Sequence, residues 1–408
     1  MRILLTLAWR NLWRNKRRTL ITVSSVLFAY VLATALLSFA KGFQQQMTET
    51  LIRQETGYLQ IQDALYFDEP SLDHTLAYEE EVKEALAALD DEISYVVPRI
   101  SGFSLAAKEM STRPAMVTGI LPEQENKIRN LSGNMVSGEM FGADDDYAVI
   151  ASGLADMLEL GIGDTLILIG QGYQALTATG MFKVGGIIEF QLPEQNNTAV
   201  FLPLKKAQWY FAADNRLTNL IIMPADSDRI DYLAGALRDM LDDEWYTAKT
   251  WRELMPDMVG LMEMQDTVYT GITWIFYVIV GFGIFGTILT MLYERMQEFG
   301  ILLSIGMKRF QLGLIAFIET ILICLLGIAG GILAALPIVY FFQIFPVEFT
   351  GEMADYILRF GMEPVFPFLI DKQIFFNQAY TVFGITLLIG LYTMRKIYAV
   401  NILEAAQN

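Results

Sequence analysis

The sequence is poor in the side chains that build most metal centres and nucleophilic triads. Its 408 residues include one histidine, His74, and one cysteine, Cys324. A single histidine leaves little room for a His-based triad, and the pair together rules out the usual His/Cys zinc sites. One cysteine cannot close an internal disulfide, so each folded part must stand on its own hydrophobic core. The Gly-x-x-x-x-Gly-Lys-Ser/Thr loop that cradles nucleotide phosphates is absent from these residues, so they carry no motif for hydrolysing ATP. The carboxylates are scattered without an acid/base pair or a nucleophile motif beside them, which argues against an independent enzyme.

Charge is missing as well, and only from certain stretches. Leu20–Ala40, Ile272–Leu292 and Phe375–Met394 contain no charged residue, and Leu312–Phe345 contains Glu319 alone. Each reaches the roughly 20 residues that a helix needs to cross about 30 Å of hydrocarbon. Buried helices of a soluble protein do not repeat uncharged runs of this length, so four membrane spans are expected. Leu20–Ala40 follows a basic segment and ends in Ser38-Phe39-Ala40, as a cleaved signal would. It is longer than the ~7–15 residues of a signal's apolar core, so a retained anchor is expected.

What charge there is orients the spans. Arg2, Arg10, Arg14, Lys16, Arg17 and Arg18 precede the first run with no acid among them. The positive-inside rule makes that end cytoplasmic, and four spans then return Arg295, Lys308, Arg309, Arg395 and Lys396 to the same side. The intervening stretch 42–271 holds 15 Lys/Arg against 37 Asp/Glu, a balance of −22, while the rest holds 14 against 9. Such an acidic exterior repels nucleic acid, and its plain reading is a solvated surface. The expected organisation is an entry helix 1–19, a span 20–41, an exterior domain 42–271, a span 272–293 and a connector 294–311. A span 312–345, an outer loop 346–374, a span 375–394 and a cytoplasmic tail 395–408 follow.

Within 42–271, strand-like alternation and helical spacing are interspersed, which predicts an α+β exterior of two subdomains. Strands are expected at Gly57–Gln62, Tyr95–Ile100, Gly102–Ala107, Ala115–Ile120, Tyr147–Ala151, Thr165–Ile169, Phe182–Ile188, Ala199–Leu202 and Leu217–Met223. Helices are expected at Tyr78–Leu89, Leu204–Phe211, Arg229–Leu241 and Gly153–Leu160, the last closed by Gly161. The triplet Asp144–Asp146 reads as an exposed turn, because three successive carboxylates rarely converge on one cation. The fold class is therefore a membrane α-helical bundle of four transmembrane helices with a large α+β extracytoplasmic domain. Gly281, Gly283 and Gly286 in the second run, and Gly327, Gly330 and Gly331 in the third, mark expected helix–helix contacts. Pro337 is a candidate kink. Glu319 is either paired with Arg295 or Lys308 or part of an ion path.

Two amphipathic pieces lie at the cytoplasmic side. Trp9 and Trp13 fall four apart beside Arg10 and Arg14, which suits a helix in the headgroup layer. In the connector, Met296, Phe299, Leu302 and Leu303 share one helical face, with Glu294, Gln297, Glu298 and Ile301 around the rest.

These segments carry a resemblance. Leu7–Leu20, LAWRNLWRNKRRTL, and Glu294–Gly306, ERMQEFGILLSIG, are similar to the entry segment and coupling helix of FtsX-like/MacB-type ABC transporter permeases. Val149–Thr165, VIASGLADMLELGIGDT, with Phe182–Gly186, FKVGG, resembles the periplasmic domains of that family. Asn401–Ala405, NILEA, sits where the family often ends in N-P-x-E-A, with Ile402 in place of the proline. The resemblance is strongest to the lipoprotein-releasing (LolC/LolE-type) branch. It implies a transmembrane permease subunit in a bacterial inner membrane, driven by a separate cytoplasmic ABC ATPase dimer and paired with a second permease subunit, either the same chain or a homologue. It implies Glu294, Glu298, Gly300, Ile301, Leu302 and Gly306 as ATPase-coupling residues. No cofactor is expected to bind directly; ATP and Mg act through the partner. Implied cargo is lipoprotein, with membrane lipid and a periplasmic chaperone or adaptor as further partners. Leu36, Phe39, Phe43, Met264, Val268 and Ile272, at the outer ends of the first two spans, are the candidate substrate contacts. The alternatives are a machine of the same kind exporting peptides or toxic small molecules, and a division-type regulator of a cell-wall hydrolase.

Overall fold

A computed structural model describes residues 2–14, 16–190, 192–359 and 362–398. The Asn401–Ala405 match and the tail beyond Tyr398 lie outside the described residues. The chain divides into two compact units, one formed by 46–261 with 350–364 and the other by the remaining segments.

The helical unit is built from the four apolar runs, each extended by polar turns. Helices run over Lys16–Gln54, Pro256–Glu294, Arg309–Ile344 and Lys372–Tyr398, and each is long and apolar enough to cross a membrane. A further helix, Arg2–Arg14, precedes the first span, and a short one, Met296–Ser304, links the second and third. Their shared core gathers Val26, Tyr30, Ile284, Ile288, Cys324, Ile328, Val382 and Ile389. The third-span glycines admit the first span closely. A Cβ at Gly327 would stand 2.6 Å from Val26, and one at Gly331 would stand 2.7 Å from Tyr30. In the second span, a Cβ at Gly281 would meet Ile385 of the fourth at 3.4 Å, as expected, but the other two glycines differ. Among the described residues, Gly283 and Gly286 have no neighbouring atom within 4 Å of a built Cβ, because they face away from this bundle. Pro337 sits inside the third-span helix, which continues through it. Polar bonds pin the half away from the linking helix: Tyr277 Oη donates to Gln378 Oε1 at 2.8 Å, and Lys41 Nζ and Gln44 Nε2 donate to Asp266 at 2.8 and 3.1 Å.

The outer loop is more structured than its sequence suggests. Glu348 bridges Val365, Phe349 stacks on Phe366 at 3.9 Å, and Glu352–Arg359 forms a helix after Gly351, whose φ of 68° reverses the chain.

The other unit is a mixed sheet with helices packed on it. Its strands are β1 Leu59–Asp63, β2 Leu76–Ala77, β3 Ile93–Lys108, β4 Ser111–Ile120, β5 Met135–Gly138 and β6 Tyr147–Ala151. The series continues with β7 Thr165–Gln171, β8 Thr177–Ile188, β9 Ala199–Pro203, β10 Arg216–Leu217, β11 Asn219–Pro224 and β12 Tyr246–Thr250. The order is β12-β1-β11-β3-β4-β9-β6-β8-β5, with β7 bridging β3 and β8 and a separate β10-β2 pair. β3 spans what the sequence reads as two strands. It stays continuous through Ser101-Gly102 because the missing side chain at Gly102 makes room for the Phe211 ring, 2.8 Å from a built Cβ. Its first half pairs with β11 over a core of Leu59, Ile61, Leu220, Leu233 and Leu237; its second half pairs with β4 and β7 over a core of Leu154, Leu166, Leu168, Phe182 and Phe211. This unit thus holds two cores strung along one strand. Helix Ser152–Leu158 is closed by Glu159 at φ 55° rather than by Gly161, which instead donates its N–H to Asp164. Asp144 and Asp146 are exposed and pair with Lys205 and Lys206.

Candidate functional site

The linking helix Met296–Ser304 is shaped by its two faces and its stop. Met296, Phe299, Leu302 and Leu303 pack with Leu292, Leu312, Ala316 and Ile397, the face that helical spacing predicts. The stop is a Schellman turn. Gly306 N–H donates to Leu303 O and Met307 N–H to Leu302 O, both at 3.1 Å, with Gly306 at φ 99°. That φ suits glycine and strains any other residue. Ile301 and Ile305 point outward and are 61% and 79% exposed. Two exposed isoleucines beside a polar stretch form a surface suited to an apolar recess on another molecule.

The charged side of this helix is engaged within the chain. Glu298 pairs with Arg14 of the entry helix and, at 3.3 Å, with Nε of Arg295. Arg295 also pairs with Glu319 and lies over the Phe299 ring, 5.2 Å from its centroid. Asn11 Nδ2 donates to Glu319 Oε1 at 2.8 Å. The chain of charges therefore runs Arg14, Glu298, Arg295, Glu319, and Asn11 returns it to the helix on which it began. Side-chain exposure falls along it, from 56% at Arg14 through 39% and 7% to 1% at Glu319. Of the two pairings open for Glu319, the structure shows Arg295. A buried guanidinium and carboxylate compensate each other where either alone would be costly.

The entry helix is seated on its own apolar stripe. Ala8 and Leu12 are buried, and Leu12 packs with Met291 and Ile323. Trp9 and Trp13 are exposed and meet edge to face at 6.0 Å. Arg309 Nη1 donates to Tyr398 O at 2.9 Å and Lys396 bonds Tyr293, so the ends of all four long helices and the entry helix converge here.

The six sequence-derived coupling residues thus take different places. Ile301 and Gly306 are exposed, Glu294 is exposed, Leu302 is half-buried, Gly300 is buried, and Glu298 is held by two arginines. Arg14 and Asn11 are the partners that reading the sequence missed. They lie 284 and 308 positions from the residues they meet, and only their spacing on one helical face hinted at a shared role.

At the opposite end of the bundle, Leu36, Met264, Val268 and Ile272 are exposed. Phe39 is part of an aromatic cluster with Phe43, Phe366 and Phe368 at ring distances of 6.3, 5.3 and 5.9 Å. Phe366 and Phe368 were not among the sequence candidates, because a loop aromatic has no periodicity to place it.

A second ion network lies in the sheet unit. Glu125 accepts from Arg99 Nε at 2.9 Å and Nη2 at 2.5 Å, and Arg129 Nε stands 3.4 Å away. Arg99 Nη1 also donates to Glu55 O at 3.3 Å. Burial pushes the Glu125 carboxyl up, but the Arg99 and Arg129 charges and the Arg99 hydrogen bonds outweigh it and hold it below the usual glutamate range. Burial and the neighbouring Arg99 charge pull the Arg129 guanidinium down to about 10. Among the described residues no His/Cys/Asp/Glu group is arranged to hold a metal.

Comparison with known families meets this geometry at both ends of the chain. Residues 19–240 match the MacB-like periplasmic core domain, and residues 270–402 match the FtsX-like permease C-terminal model. The chain is an ABC transporter permease of the FtsX/MacB type. The permease is 20% identical over 303 residues to the lipoprotein-releasing system transmembrane protein LolC of Neisseria meningitidis, covering 71% of this chain and 69% of that one. LolC of Xylella fastidiosa is 21% identical, covering 80% and 79%. The macrolide export ATP-binding/permease protein MacB of Bartonella quintana is 21% identical over 81% of this permease, which spans about half, 51%, of that relative's length. The periplasmic region of MacB from Actinobacillus actinomycetemcomitans aligns with 54% of the chain at 13% identity and a TM-score of 0.35. The resemblance read from the entry and connector motifs is borne out, as is the fold class. Permeases of this kind are subunits of ABC transporters, which implies an ATPase partner. The permease is a multi-pass membrane protein with an extracytoplasmic domain.

Proposed function

We propose that this permease couples ATP hydrolysis by a separate cytoplasmic ABC ATPase dimer to release of lipoproteins from the outer leaflet of a bacterial inner membrane. The linking helix Met296–Ser304 and the Ile305 that caps it receive the ATPase through Ile301 and Ile305, with both termini on the cytoplasmic side, as the basic residues around Arg14, Lys308 and Arg395 favour. ATP and Mg belong to the partner. A second permease subunit, the same chain or a homologue, completes the machine, and a periplasmic chaperone or adaptor takes up the cargo.

The observation that carries the cargo reading is the strip of exposed Leu36, Met264, Val268 and Ile272 with the aromatic cluster around Phe39. Acyl chains need an apolar surface at the level of the outer leaflet. Each buried CH₂ contributes about 0.8 kcal/mol to membrane retention, a cost that justifies driving extraction with ATP. Relatives named for lipoprotein release align over most of their length, which supports the same reading.

Native mass spectrometry of the permease purified gently with its cognate ATPase tests this. A lipid-modified protein riding on the complex is expected. A complex that carries none, but whose ATPase is stimulated by a peptide or macrolide, would instead favour the export chemistry for which the MacB relative is named.

A further inference from the structure

We propose that Asn11 and Arg14 make the entry helix Arg2–Arg14 a second load path, carrying motion of the linking helix Met296–Ser304 into the first span. The inference rests on reading the linking helix as the ATPase-coupling element. The linking helix joins the second and third spans through the backbone, at Arg295 and at the Gly306 turn. It has no covalent connection to the first span. Three directed noncovalent contacts provide the link instead. Arg14 pairs with Glu298 on the linking helix, and Asn11, one turn earlier on the same face, bonds Glu319 on the third span. Between these two residues, at the same end of the entry helix, Leu12 O accepts from Thr19 Oγ1 of the first-span helix at 2.7 Å, which ties the two helices across their junction.

The burial gradient explains why this path serves movement more than stability. Glu319 and Arg295 are enclosed and fix the linking helix to the third span. Arg14 is exposed and Glu298 partly so, and an ion pair at such a place adds little stability. A contact of that kind is dispensable for folding yet sets where the entry helix sits whenever the linking helix shifts. Arg14 and Asn11 are thus positioning residues. They act by keeping the first span in step with the other two.

The test uses the full chain with its cognate ATPase in lipid nanodiscs. Spin labels at Leu36→Cys and Val268→Cys report the distance between the outer ends of the first two spans, without nucleotide and with ATP-vanadate trapped. The expected result is a nucleotide-dependent distance change that Arg14→Glu abolishes while the ATPase stays bound. Arg14→Gln, which removes the charge without adding a repulsive one, weakens the change, and Arg14→Lys retains it. Arg10→Glu, an equal change of charge one turn away, also retains it, which separates the pair from general headgroup attraction. A full distance change in Arg14→Glu and Arg14→Gln would overturn the proposal. Failure of the unmutated permease to hold any ATPase would instead overturn the coupling reading beneath it.

Discussion

Two arginine–glutamate networks in this permease use the same chemistry in opposite surroundings. In the sheet unit, Glu125 is fully buried between Arg99 and Arg129, and Arg99 reaches the Glu55 carbonyl. In the helical unit, the charges from Arg14 to Glu319 run from solvent into the bundle. The first network is enclosed, with Glu125 fully buried between its arginines, so it fixes β3 against the Pro122–Arg129 helix in one arrangement. The second has a closed end and an open end. The closed end holds the linking helix in place, and the open end can exchange partners with solvent or another protein. Burial, rather than residue type, decides whether an ion network is a fastener or a joint.

Removing Glu125 should break the comparison most visibly. Glu125→Ala leaves two guanidiniums buried without their carboxylate, a loss of about 3–5 kcal/mol. Hydrogen–deuterium exchange of the full chain should show that loss in β3 and the Pro122–Arg129 helix, with little change in the spans. Glu319→Ala should cost less, about 1.5–3 kcal/mol, because Arg295 keeps Glu298 and the Phe299 ring. Exchange in Met296–Ser304 and the entry helix is the measurement, and loss of protection throughout the bundle would contradict a local fastener.

Acid probes the enclosed network directly. Because the Glu125 carboxyl is held below the ordinary glutamate value, its contribution is complete above the unfolded-state pKa and drains away as pH falls through the lower folded value. Protection of β3 should therefore persist through mildly acidic pH and fall only below the usual glutamate range. Loss of protection already near neutral pH would contradict this. Smallest of all, Arg14→Gln should change thermal stability by about 0–1 kcal/mol, and the difference from the unmutated chain should shrink as salt rises. A salt-independent difference would mean that the outer pair is not the exposed contact its burial indicates.

The same contrast explains what could be read from the residues alone. The buried face of Met296–Ser304 was legible because Met296, Phe299, Leu302 and Leu303 recur at helical spacing, and the spans were legible from the absence of charge. Gly327 and Gly331 met the first span as their size suggested, yet Gly283 and Gly286, equally small, have no neighbour within 4 Å of a built Cβ among the described residues. Small residues permit close approach without naming the neighbour. Arg14 read as one of several basic residues beside a membrane, since nothing local distinguishes the arginine that will meet Glu298. The Arg99–Glu125 pair was hidden for the same reason, and β3 was divided at Gly102 because its partner there, Phe211, is more than a hundred residues away. Periodicity reports which face is buried; what fills that face is a property of the tertiary fold.

The central claim is that the exposed edge of Met296–Ser304 is where an ABC ATPase seats. The direct measurement is binding of the cognate ATPase dimer to the full-length permease in nanodiscs, compared with Ile301→Asp. A charge at a 61% exposed position leaves the fold in place and puts a carboxylate where an apolar recess is expected. Stable binding by the unmutated permease, lost in Ile301→Asp, is the predicted result. Undiminished binding by Ile301→Asp, or no binding by either, would contradict it.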